Sequence, residues 1–178
     1  MAREDAAIAI DASATLPGGA TATADESAAL QVFAADAPRT VAPSTGDAVD
    51  AVSVDGVLYA LSQAYVGEVS LRRTDEATGA TSSVDVAGEA VALSFSGGAI
   101  SAVLARGATG VVAVCNAQTL SVAQSRPLPF APRSAEPTAT GFVIGTDDGV
   151  ALVDATGAVV RRREMPHVLD VAAAGDAV

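Results

Sequence analysis

Apolar residues in this chain recur in short alternating or Val-rich runs, broken every few residues by Gly, Asp-Gly or Thr-Gly. Period-2 alternation over four to eight residues is the signature of a half-buried strand, and helical periodicity is scarce. The pattern predicts strands at Ala6–Asp11, Leu30–Ala34, Ala48–Val54, Val57–Ser62, Glu68–Arg73, Thr81–Val86, Ala90–Ser94 and Ala99–Leu104. It continues with Val111–Cys115, Leu120–Ser125, Gly141–Gly145, Val150–Asp154, Ala158–Arg163 and Leu169–Ala173. Asp55-Gly56, Gly97-Gly98, Asp148-Gly149 and Thr156-Gly157 are the expected hairpin turns, because such dipeptides supply positive φ cheaply.

The runs repeat. Gly67, Gly110 and Gly149 each open a strand that is followed by a turn, at Thr78-Gly79, Gln118-Thr119 and Thr156-Gly157. Gly56, Gly98 and Gly141 mark the strand before. Both markers advance together by about 40 residues, the period of a four-stranded propeller blade. The expected fold is therefore all-β: a β-propeller-like array of four-stranded antiparallel units, with a β-sandwich or jelly roll as the structural alternative. As one domain over 1–178, the units fall near 1–45, 46–87, 88–133 and 134–166, with a closing strand at 167–178. Leu16–Thr23 is expected to be a flexible loop. Either the last strand closes a four-bladed ring, or the chain is part of a larger propeller or packs with partner chains; its abrupt end at Ala177-Val178 favours the latter.

The stretch Gly145-Thr146-Asp147-Asp148-Gly149-Val150-Ala151-Leu152-Val153-Asp154-Ala155-Thr156-Gly157 resembles the repeat of PQQ-like (quinoprotein-type) β-propellers. The resemblance covers about thirteen residues and is degenerate in the other units. It implies a blade, not an activity. The family's blade-docking Trp is missing, since the chain has no Trp. No residue matches the Trp and metal-binding acids with which that family's enzymes hold their quinone, so no cofactor is expected.

Composition narrows function mostly by exclusion. The 178 residues are 50% hydrophobic but only 3% aromatic, so the core must be built from Ala and Val. Mean hydropathy is +0.39, too high for a disordered acidic tail. Net charge is −11, and all ten basic residues are Arg. Such a surface repels phosphate backbones and anionic bilayers, which argues against nucleic-acid and membrane partners. The acidic, Lys-free, Ala-rich composition resembles the haloarchaeal type, where high salt screens carboxylate repulsion; an ordinary acidic protein from a high-GC bacterium is the alternative. The N-terminus shows no signal pattern, and no apolar run approaches a membrane span. The chain is expected to be soluble, in a compartment the sequence leaves open.

Cys115 is the sole cysteine and lies in an apolar run, so it is expected as a buried hydrophobe. His167 is the sole histidine and follows Pro166 at a junction between units, without triad or metal-ligand spacing. Adjacent acids at Asp25/Glu26, Asp75/Glu76 and Asp147/Asp148 read as turn residues, because neighbours on a strand point apart. Arg161-Arg162-Arg163 and Arg72-Arg73 read as charges that guard strand edges, with an acidic partner as the sharper alternative.

In a propeller, second-to-third-strand loops and inter-unit links share one end, which commonly meets partners. That end would carry Gln63, Tyr65, Arg106, Asp147 and Asp148, joined by the junctions at Pro127–Pro137 and His167. Tyr65 and Arg106 are the expected contact pair, since Tyr and Arg are enriched at hot spots. The leading expectation is a non-enzymatic binding or scaffold protein with a protein partner or self-association. The alternatives are a structural component of a halophile surface layer or virion, and a propeller-based hydrolase or lyase.

Overall fold

A computed structural model describes residues 10–15, 21–25, 29–33, 38–43, 47–65, 68–165, 168 and 171–172. All regular structure among them is β-strand, in four antiparallel sheets of four. The first sheet comprises β1 (Ile10–Thr15), β2 (Thr21–Asp25), β3 (Ala29–Phe33) and β4 (Pro38–Pro43). The second comprises β5 (Asp47–Val54), β6 (Val57–Tyr65), β7 (Glu68–Asp75) and β8 (Thr81–Ala87). The third comprises β9 (Glu89–Ser96), β10 (Ala99–Arg106), β11 (Thr109–Asn116) and β12 (Val122–Leu128). The fourth comprises β13 (Ser134–Thr138), β14 (Gly141–Thr146), β15 (Gly149–Asp154) and β16 (Val159–Glu164).

Within each sheet, strand order follows chain order, so every connection is a hairpin. The first strands of successive sheets lie side by side: β5 touches β1 and β9, and β9 touches β13. This is the blade arrangement of a propeller, and it rules out the sandwich.

Packing between blades follows from the pleat. Ala102, Val103 and Leu104 on β10 are all buried, yet they point alternately. Ala102 and Leu104 join Tyr59, Leu61, Leu71, Ile100 and Val111 in the core between the second and third blades. Val103 joins Val112, Phe130, Phe142, Ile144, Ala151 and Val153 in the core between the third and fourth. A blade covered on both faces needs apolar residues at consecutive positions, which is why β10 reads as a continuous run. Cys115 is buried in the first of these cores.

The hairpins repeat a side-chain device. Asp75, Asn116 and Asp154 each end a third strand. Each turns its Oδ1 onto backbone N–H groups two to four residues ahead and onto the hydroxyl of Thr78, Thr119 or Thr156. These bonds, with the Thr hydroxyl first, hold the Asp75 and Asp154 carboxyls below the usual range. Asp55-Gly56 and Gly97-Gly98 adopt the positive φ at both positions that a two-residue hairpin requires.

Several expectations need correction. Thr21–Thr23 lie in β2 rather than in a loop, and the first strand runs Ile10–Thr15, beyond Asp11. Strands β4 and β13 went unpredicted because both contain proline; as edge strands they can spare an N–H. Leu120 does not open a strand: it sits at φ 57 in the turn, its buried side chain held in the core, and β12 begins at Val122. The turn at 146–149 is Asp147-Asp148, not Asp148-Gly149, since Gly149 pairs with Thr146 across the hairpin. Gly149 serves another purpose. A Cβ there would stand 2.2 Å from the Arg163 carbonyl oxygen. The proposed closing strand at 167–178 lies mostly outside the described residues, and Val168, Val171 and Ala172 are not in a strand.

Candidate loop-end groove between the third and fourth blades

Three segments converge at one end of the third and fourth blades. They are the β10–β11 turn at Gly107-Ala108, the β14–β15 turn at Asp147-Asp148, and the link from β12 to β13. The link is seated on glycine. A Cβ on Gly110 would fall 2.5 Å from Pro132 Cδ, so only a bare backbone lets the link lie against β11. The Arg133 N–H then donates to the Gly145 carbonyl, at 2.9 Å, and fixes the link to β14. Between these segments runs a groove of about 520 Å³, with Phe130, Ala131 and Pro129 at its apolar side.

Two guanidiniums and two carboxylates complete it. Arg133 donates from Nε and Nη2 to the two oxygens of Asp147, each at 2.8 Å. Arg162 Nη2 donates to both oxygens of Asp148, each at 2.7 Å. Thr146 adds its hydroxyl to Asp148 at 2.9 Å. Arg162 opposes Ala151 in the ladder, so it leans toward the third blade, and its guanidinium lies 5.4 Å from the Phe130 ring centroid. The hydrogen bond from Arg133 holds the Asp147 carboxyl below its usual range and raises the Arg133 guanidinium. Arg162, then Thr146, does the same for Asp148. Both carboxylates are thus ionised at neutral pH and poor proton donors.

The pairs are open to solvent, with Arg133 and Asp147 side chains 55% and 70% exposed. Such pairs hold each other in place but add little stability. The groove thus presents paired charges of both signs to solvent, beside the Phe130 ring of the core. Among the described residues, no three His, Cys, Asp or Glu side chains converge as metal ligands.

Asp147 and Asp148 lie in the groove, and so does part of the Pro127–Pro137 junction. Arg106 does not line it: its Nε donates to the Ala87 carbonyl at 3.0 Å, holding the end of β10 to the end of β8. Tyr65 ends β6, opposite Glu68 in the ladder. Gln63 accepts the Ala90 N–H at 2.7 Å and ties the second blade to the third. His167 lies outside the described residues. Arg133, Arg162 and Phe130 were not singled out from sequence as site residues. Counting the pleat along β16 would have separated Arg162 from Arg161 and Arg163. Nothing local marks Phe130.

No protein-family model matches the chain, and no curated protein matches it. Solved structures do. A chain of the nidogen/laminin complex superposes with a TM-score of 0.64 at 10% identity, over 82% of this chain and 59% of that one. BamB from Moraxella catarrhalis gives 0.59 at 16% identity, over 87% and 50%. The Dos1 propeller gives 0.60 at 19% identity, over 89% and 48%. This chain thus spans roughly half the length of those structures. At such identities the likeness speaks for the fold, and the chain is an all-β protein built of propeller blades.

Proposed function

We propose that this chain is a non-enzymatic binding module that meets a protein partner through the loop-end groove between its third and fourth blades. The observation that carries the reading is the groove itself: a bidentate Arg133–Asp147 pair, an Arg162–Asp148 pair, and the Arg162 guanidinium over the Phe130 ring, set at the blade ends. Arginines in a concave setting beside apolar surface are what protein interfaces concentrate. The nidogen/laminin complex supports it as an instance of a similar fold solved together with a protein partner. Against an enzyme stand the Asp147 and Asp148 carboxyls. Held below their usual range, they do not supply the general acid of raised pKa that carboxylate-based hydrolysis uses. On this reading the chain is a PQQ-like repeat protein without its cofactor, from a salt-adapted source, as the residue 145–157 stretch and the Lys-free acidic composition suggest.

The test is affinity capture by the wild type and by an Arg133→Glu/Arg162→Glu variant, both checked for folding by circular dichroism. A defined partner held by the wild type and lost by the variant is the expected result. Equal capture by both would remove the groove from the account.

A further inference from the structure

The run Arg161-Arg162-Arg163 is only partly explained by the groove. Arg162 turns toward the third blade and is committed to Asp148 and Phe130. Arg161 and Arg163 project from the opposite face of β16, and among the described residues neither has a carboxylate partner. The chain has 21 acids and ten arginines, and the described carboxylate pairs are those of Arg133 and Arg162. Arg133 is paired with a carboxylate, Arg106 is bonded to backbone and Arg72 is buried.

β16 is also the outer edge of its sheet, and all six of its residues are exposed. Two of them are large and apolar, Val159 and Val160, with Val160 62% exposed. An edge strand presents a row of unpaired N–H and C=O groups to any extended chain that fits. The other outer strands with described side chains are less receptive. β12 carries Pro127, which cannot donate, and β8 carries Asp85 and no arginine. Residues 89–164 hold six acids and six arginines, against 13 acids and four arginines in residues 1–88, so β16 sits in the half that does not repel anions.

We propose that β16 is a strand-addition site for an extended segment of a partner protein with carboxylates at alternate positions. Residues two apart on a strand stand about 6.6 Å apart on one face. Arg161 and Arg163 therefore match a Glu-x-Glu spacing on the added strand, while the backbones pair. This site shares β16 with the groove through Arg162, but it uses the strand's open edge and opposite face and does not rest on the groove's proposed role.

The probe is a fluorescein-labelled Val-Glu alternating octapeptide, titrated into the intact chain at low salt and followed by anisotropy. It should bind the wild type and slow amide exchange over residues 159–164. Arg161→Glu/Arg163→Glu should weaken it about tenfold or more. Arg133→Gln, in the groove, should leave it unchanged. A peptide N-methylated at alternate amides should fail on the wild type, which keeps the test decisive even if the double variant misfolds. Absence of binding, equal binding of a Val-Lys peptide, or unchanged exchange over 159–164 would overturn the proposal. So would self-association of the chain through 159–164 without peptide, since the occupant would then be a second copy.

Discussion

The two seams whose side chains are described on both sides solve one problem differently. The seam between the second and third blades holds the larger apolar cluster and buried polar ties. Tyr59 packs on Phe95 with ring centroids 5.9 Å apart, and its hydroxyl donates to the Ala117 carbonyl at 3.1 Å. Asp50, on β5, accepts the Leu93 N–H of β9 at 2.7 Å, and Gln63 accepts that of Ala90. Innermost strands have an unpaired edge, and these side chains satisfy the neighbour's amides there. The seam between the third and fourth blades relies on close backbone approach. A Cβ on Gly157 would stand 2.9 Å from Val112 Cβ. Ser101 ties it to the Ala155 carbonyl at 3.0 Å, and the Arg–Asp pairs lie outside it in water. Without Trp, blades are locked by hydrogen bonds to strand edges in one seam and by glycine contacts in the other.

Substitutions should separate the seams by size of effect. Phe142→Ala empties the centre of the later seam and should cost about 3–5 kcal/mol in denaturant titration. Asp50→Ala leaves the Leu93 amide without its acceptor and should cost about 1–3 kcal/mol. A loss comparable to that of Phe142→Ala would mean that the earlier seam depends chiefly on this one carboxylate. Gly157→Ala forces a side chain into φ 86 against Val112 and should cost about 1–2 kcal/mol from the backbone alone. Arg133→Gln should leave the melting temperature unchanged within error, since its pair is exposed.

Asp50 in the earlier seam and the two groove aspartates should also respond oppositely to pH. Burial raises the Asp50 carboxyl above 3.8, ahead of the Leu93 and Ala51 amides that lower it, with Glu136 adding to the rise. The folded state therefore binds that proton more tightly than the unfolded chain. This contribution is complete below 3.8 and is lost as pH rises through the raised folded value. Asp147 and Asp148 are lowered, so theirs is present above 3.8 and lost as pH falls through their depressed values. Melting curves of wild type and Asp50→Asn should show the wild type gaining on the variant as pH drops from neutrality toward 3.8. A constant difference across that range would show that Asp50 does not titrate differently on folding.

Legibility followed the same physics. The strands of the second, third and fourth sheets were readable where alternation or an apolar run marked them, as in Val57–Ser62 and Ala99–Leu104. β13 was not, because Ser134–Thr138 has polar residues and a proline that only an edge position tolerates. Gly110 and Gly149 were visible as repeat markers, but not their reason, which is contact with Pro132 and with the Arg163 carbonyl. In the groove, Asp147 and Asp148 were legible from their turn. Arg133 and Arg162 sit fourteen residues from their partners and meet them only through hairpin register and the link between blades.

By itself, the order of residues determined the blade: short alternation, turn chemistry and a period of about 40 residues act within a few positions of each other. Which arginine meets which aspartate, and which amide Asp50 satisfies, was decided only by tertiary structure. Those contacts form between strands whose separation along the chain carries no local signal, and they exist once one blade is laid against the next.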